Sequence, residues 1–234
     1  YKQANKWYAR VDNAALYIDA QMAAARVQGK SGQVEEAQER YRALREGNPV
    51  HATTILLSES EMLREIKDDA GAYELLNEAL ASNPDDLDLR YSRALAAERV
   101  DRIDVLEQDL KMVLEKEPDH AHALNALGYT LADRTTRYEE AYSYISKAYE
   151  LEPNDPAIID SMGWVYYRLG NYDKAIEYLT RANEILRDGE IAAHLGEVLW
   201  VSGNHEAARA LWKEALRAYP DSEILLRAIK RFKN

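Results

Sequence analysis

Cysteine is absent from the 234 residues, which excludes disulfides, thiolate nucleophiles and cysteine-ligated zinc and leaves the redox compartment open. No apolar run approaches the roughly 18–20 residues that cross a bilayer, so no transmembrane helix is expected. Basic residues are in deficit, 30 Lys and Arg against 41 Asp and Glu for a formal charge of −11, and that balance argues against a binder of nucleic-acid phosphates. The first residue is Tyr1, not Met, with no charged-then-apolar leader before it, so the chain reads as a processed, trimmed or subcloned piece from which any targeting signal is lost to view. With 47% hydrophobic and 30% charged residues, it has the composition of a folded, water-exposed protein. No period-two alternation marks a strand.

The six prolines carry the organisation. Pro49, Pro84, Pro118 and Pro153 follow one another at 35, 34 and 35 residues, and Pro220 lies 67 further on, close to twice that period. Placing them at position 32 of a unit puts small residues in register: position 8 holds Ala25, Ser60, Ala94, Gly128, Gly163 and Gly196, and position 20 holds alanine in five of six units, with Leu106 in the third. Small side chains at these two places let two antiparallel helices approach closely. Gly32, Gly170 and Gly203 fall between the two apolar patterns, where positive φ commonly ends a helix. Tyr172, Ala175, Ile176, Leu179 and Ala182 form one helical stripe. Each unit is therefore expected to be a helical hairpin, and the proline its terminator.

A 34-residue period with Met162-Gly163-Trp164-Val165-Tyr166, Gly170-Asn171-Tyr172, Ala175 and Ala182 resembles the tetratricopeptide repeat (TPR). The best unit departs from the pattern at Arg187, where proline is usual, and the fourth unit has one extra residue around 134–137. The resemblance implies an all-α, right-handed TPR superhelix (α-solenoid) of about six full hairpins, at 18–52, 53–86, 87–120, 121–155, 156–188 and 189–222. Residues 1–17 read as the second helix of a truncated repeat plus a linker. Residues 222–234 read as a solvating cap.

Catalytic patterns are missing. None of His51, His120, His122, His194 and His205 forms the i, i+4 pair of a zinc protease helix, and no metal or other cofactor is expected. Gly29-Lys30-Ser31 imitates the end of a phosphate loop, but Ala24 stands where that loop needs glycine. Carboxylate pairs such as Asp68-Asp69 and Asp85-Asp86 read as solvated surface, and no nucleophile elbow occurs. A non-enzymatic chain is expected.

Stacked hairpins line an inner surface with their first helices. With positions 4, 7, 8 and 11 in the core, positions 2, 5, 9 and 12 face that surface. The first two units place there Asp19, Met22, Arg26, Thr54, Leu57, Glu61 and Arg64, a mixed set. The later units supply the candidate partner-binding groove: Tyr91, His122, Asn125, Tyr129, Asp160, Trp164, Tyr167, His194, Glu197 and Trp200. Tyr and Trp are favoured at binding hot spots, with Trp164 and Trp200 foremost here; packing between first helices is the competing use of these rings. The lysine and asparagine clamp of chaperone-tail TPRs is not matched, since position 5 holds no lysine and position 9 no asparagine.

The strings ALNALGYTLADRT, DPAIIDSMGWVYYRLGNY and AAHLGEVLW resemble the C-terminal repeats of proteobacterial outer-membrane TPR lipoproteins. That group includes the adaptor of a carboxyl-terminal processing serine protease. The resemblance implies a periplasmic protein, anchored through a segment outside this piece, that brings peptidoglycan hydrolases to the protease. A structural scaffold or oligomerisation module is the alternative.

Overall fold

The computed structural model describes residues 14–232. Among these, 13 α-helices and one 3-10 turn at Pro49–His51 occur, and no strand. Twelve of the helices pair as hairpins: α1 (Ala14–Lys30) with α2 (Val34–Gly47), α3 (Ala52–Glu65) with α4 (Asp69–Ser82), α5 (Leu87–Arg99) with α6 (Ile103–Lys116), α7 (Ala121–Arg134) with α8 (Tyr138–Leu151), α9 (Pro156–Arg168) with α10 (Tyr172–Ile185), and α11 (Gly189–Val201) with α12 (His205–Ala218). A single helix, α13 (Glu223–Phe232), follows. The chain divides into two compact units, residues 1–113 and 114–234.

The helix ends follow from local chemistry. Every second helix that precedes a periodic proline stops two residues before it, as at Ser82 and Pro84 or Leu151 and Pro153, because proline disfavours helix in the residue before it. Where Arg187 replaces proline, α10 still ends two residues earlier, and the Tyr219 hydroxyl donates to the Arg187 carbonyl instead. Except at α3, where His51 makes no cap bond, the next helix then starts from a side-chain cap. Asp86 Oδ1 accepts from Leu89 N–H at 3.0 Å, Asp155 Oδ1 from Ala157 and Ile158 N–H at 2.9 and 3.0 Å, and Asp188 Oδ1 from Glu190 N–H at 2.7 Å. Two carboxylates assigned to solvated surface, Asp68 and Asp86, are thus helix caps.

Five of the six hairpin turns use one left-handed residue. Gly32, Gly170 and Gly203 supply it at φ 90°, 80° and 93°. Lys67 and Asp101 do so in the second and third hairpins at φ 69° and 61°, two positions that a search for glycine overlooks. The small residues at position 8 are required by close approach: a Cβ on Gly163 would lie 2.5 Å from Leu179 Cγ, and one on Gly196 would lie 1.9 Å from Trp212 Nε1.

The start of the chain departs from expectation. Residues 1–17 were expected to hold a second helix and a linker, yet α1 reaches back at least to Ala14. Ala14-Ala15-Leu16 are strong helix formers with no glycine or proline to stop them. The helix expected over residues 4–11 lies outside the described residues.

Candidate partner-binding groove

In the second unit, the first helices α7, α9 and α11 pack in sequence, and α13 packs beside α11. Their inward faces bring together most of the expected groove residues. His194 on α11 is the hub: its Nδ1–H donates to Asp160 Oδ2 on α9 at 2.8 Å, and its ring stacks on Trp164 at 4.2 Å between centroids. Tyr129 on α7 stands 3.4 Å from His194 Nε2 and donates to Glu190 Oε1 at 3.2 Å. Tyr167 packs on Trp164 at 5.1 Å and donates to Glu197 Oε1 at 3.0 Å, which also accepts from Arg231 on α13 at 3.0 Å. One polar and aromatic network therefore ties four helices together around an open cleft of about 290 Å³.

Burial sets the electrostatics. Trp164, Asp160, His194 and Glu197 are all under a tenth exposed. Burial opposes a charge on His194, but the Asp160 carboxylate in contact outweighs it, with Glu190 and Asp133 adding, so the imidazole is held above its ordinary pKa. Burial and the carboxylates of Glu190, Asp133 and Asp160 push the Tyr129 hydroxyl well above its ordinary value. Tyr167 is raised by burial and by Glu197. The Asp160–His194–Tyr129 series thus runs across three helices, and the neighbouring carboxylates favour the protonated form of both the imidazole and the phenol.

Three polar atoms on these helices bond no described residue although they are buried: Asn125 Oδ1, Asp160 Oδ1 and Trp164 Nε1–H. Asn125 precedes Tyr129 by one turn on α7, and Asp160 precedes Trp164 by one turn on α9. The inner stripe of the first unit differs: Arg26 donates to Glu65 at 2.6 Å and lies 3.7 Å from Glu61, Lys30 lies 3.0 Å from Glu65, and Arg64 pairs with Glu61. Its charges satisfy one another.

Other expected groove residues lie elsewhere. Trp200, at the end of α11, stacks on His205 at 4.4 Å and lies 5.9 Å from Trp212 and 6.0 Å from Phe232; it does not line the cleft. Tyr91 belongs to α5 in the other unit, and burial raises its hydroxyl pKa. His122 is exposed, 3.8 Å from Glu152, and with Asp155 it forms a surface group whose ligand atoms lie within 4.8 Å of one another. The two acidic members come from the turn after α8, which spacing along the chain does not reveal. Conversely, Asp133, Ile224, Arg227, Ala228 and Arg231 line the cleft unanticipated. Glu190 occupies position 2 and was legible by the same positional rule. The α13 residues were not, because that helix reads from sequence as a cap alone.

A family model described as tetratricopeptide repeat matches residues 22–86, 107–156 and 161–223. This chain belongs to the tetratricopeptide repeat family. A TPR repeat-containing protein of Pseudomonas aeruginosa, PA4667, is 46% identical over 190 residues, covering 81% of this chain and 32% of the relative; the chain thus spans about a third of that relative's length. The human protein O-mannosyl-transferase TMTC1 is 25% identical over 162 residues, 66% of this chain and 18% of its own. Among solved structures, the pilus biogenesis factor PilW superposes with TM-score 0.69 at 16% identity, over 91% of this chain and 98% of its own. A thermophilic TPR protein of Thermus thermophilus, TTC0263, gives 0.68 at 23%, over 76% and 98%. At such identities the structural likeness establishes the all-α TPR fold alone. The TPR fold is that of a protein-interaction scaffold. Among the described residues, no helix is long and apolar enough to cross a membrane.

Proposed function

We propose that the groove of the second unit binds a segment of a partner protein, and that this TPR chain is a non-catalytic adaptor. The observation that carries this reading is the open cleft of about 290 Å³ lined by Tyr129, Trp164, His194, Glu197, Arg227 and Arg231. Aromatic faces beside a carboxylate and two guanidinium groups suit the apolar and polar groups of a peptide segment. The stacked Trp164, held in place by His194 and Tyr167, offers a rigid apolar anchor.

The finer reading rests on the resemblance of the α7–α11 segments to outer-membrane TPR lipoproteins. In it, the chain is periplasmic, tethered through a segment outside this piece, and delivers peptidoglycan hydrolases to a carboxyl-terminal processing protease. Binding of that protease and of candidate hydrolases from the source organism, measured by calorimetry, tests it. Trp164→Ala is expected to weaken the productive complex by about 2 kcal/mol, roughly thirtyfold. Trp164→Phe, which keeps an aromatic ring but lacks the N–H, is expected to fall between. Full affinity in Trp164→Ala at unchanged melting temperature would remove the groove from the mechanism. Sedimentation tests the alternative, since a pure oligomerisation module self-associates without binding either class of protein.

A further inference from the structure

A second pocket, of about 620 Å³, opens between α12 and α13. Trp200, Trp212, Leu216, Ile229 and Phe232 form its apolar walls. The Trp212 and Phe232 rings lie nearly parallel, 6.0 Å apart. Its rim is a row of cations, Arg209, Lys213 and Arg217, at i, i+4 and i+8 of α12 and hence about 6 Å apart along the helix. All three are exposed, and none makes an ion pair with a described residue. Arg209 lies over the Trp200 ring at 4.9 Å. The charge is local: residues 209–234 carry seven basic and three acidic side chains in a chain of net −11.

The equivalent junction inside the same unit tells what fits such a cleft. Between α8 and α9 lies helix α10, whose Tyr178 meets Tyr149 of α8 at 5.6 Å and Tyr166 of α9 at 5.5 Å between ring centres. Under α10 and α12, Ile159 and Ala192 are 0% and 2% exposed; Leu226, which holds their place on α13, is 46% exposed. Among the described residues no helix follows α13 to cover it. Lys230 stands where α9 and α11 have Gly163 and Gly196, so the covering helix cannot come as close as a regular second helix and meets another cation there.

We propose that the α12–α13 cleft docks an acidic amphipathic helix of a partner protein, with an aliphatic stripe on the tryptophan floor and carboxylates one turn apart along Arg209, Lys213 and Arg217. This surface is separate from the groove and stands or falls independently of it.

The test uses the whole chain and synthetic fluorescein-labelled helices of about 16 residues, long enough to be helical. The helices share one leucine stripe and carry glutamate, glutamine or lysine at the flanking positions. The glutamate helix is expected to bind at least tenfold more tightly than the glutamine helix, and the lysine helix not to bind. The triple variant Arg209→Glu, Lys213→Glu, Arg217→Glu is expected to reverse the order and favour the lysine helix, a gain that misfolding cannot produce. Arg42→Glu, an exposed change on α2, is expected to leave the order as it is. Equal binding of all three helices, no binding of the glutamate helix, or indifference to the triple variant would overturn the proposal. Two further outcomes would overturn it by assigning the cleft elsewhere: dodecanoate quenching tryptophan fluorescence while no helix binds, or self-association of the chain alone that the triple variant abolishes.

Discussion

At the scale of single residues, backbone geometry and ring contact decide several outcomes against simple propensity. Alanine normally improves on glycine inside a helix by about 1 kcal/mol. Gly196→Ala is expected to do the reverse, because its Cβ would strike the rigid Trp212 indole at 1.9 Å; a net loss of about 1–2 kcal/mol in urea unfolding is expected once overpacking is included. Lys67, at φ 69°, gives the opposite sign. Lys67→Gly relieves a left-handed strain of about 1–2 kcal/mol but raises the entropy of the unfolded chain, for a net gain of about 0.5 kcal/mol, whereas Gly170→Ala at φ 80° is expected to destabilise. His194 adds a pH signature. Its folded pKa is raised, burial notwithstanding, by Asp160, so its stabilising charge is complete below about pH 6.5 and is lost as pH rises through the folded pKa. Melting temperature is expected to fall over that range in the native chain, and Asp160→Asn to flatten the trend. An NMR titration of the His194 ring with a midpoint below 6.5 would contradict this account.

At the scale of elements, each helix reads as a short sentence with punctuation at both ends. Eleven of the twelve paired helices, all but α1, are 13 or 14 residues long; proline stands two residues past every second helix except α10, and aspartate stands just before the first helices α5, α9 and α11. Asp155→Ala deletes two cap bonds to α9 and is expected to cost about 1 kcal/mol, seen as faster amide exchange in the first turn of α9. Much of this was legible. Period, turn positions and the small residues at the helix crossings are local patterns, and local patterns survive in one dimension. What stayed hidden were elements whose role depends on a neighbour: α13 reads as a solvating cap, but Arg231 reaches Glu197 and Ile224 and Ala228 close one side of the cleft. Trp200 obeys the same positional rule as Trp164 and yet turns to Trp212 and Phe232.

For the whole molecule, repeats couple mainly to their neighbours, so stability is expected to be regional. A hairpin lesion such as Gly163→Leu, which forces a branched side chain onto Leu179, is expected to lower amide protection across α9 and its neighbours far more than in α1–α4. Uniform loss across both compact units would mean a single cooperative block. Far-UV circular dichroism of the native chain is expected to be that of a nearly all-helical protein.

The sequence by itself determined the class of fold and the number of hairpins, because each depends on residues within one 34-residue period. It also placed Tyr129, Asp160, Trp164, Tyr167, His194 and Glu197 on one kind of helix face. Only the tertiary structure decided that these six form one network around His194 while His122 and Trp200 do not join them. It alone revealed that Glu61 and Glu65 of the first unit are paired with Arg26, Lys30 and Arg64, while Asn125, Asp160 and Trp164 keep unbonded atoms. The reason is physical: which helix face a residue occupies follows from periodicity, whereas whether its polar atoms find partners depends on helices some 30 or more residues away in the chain.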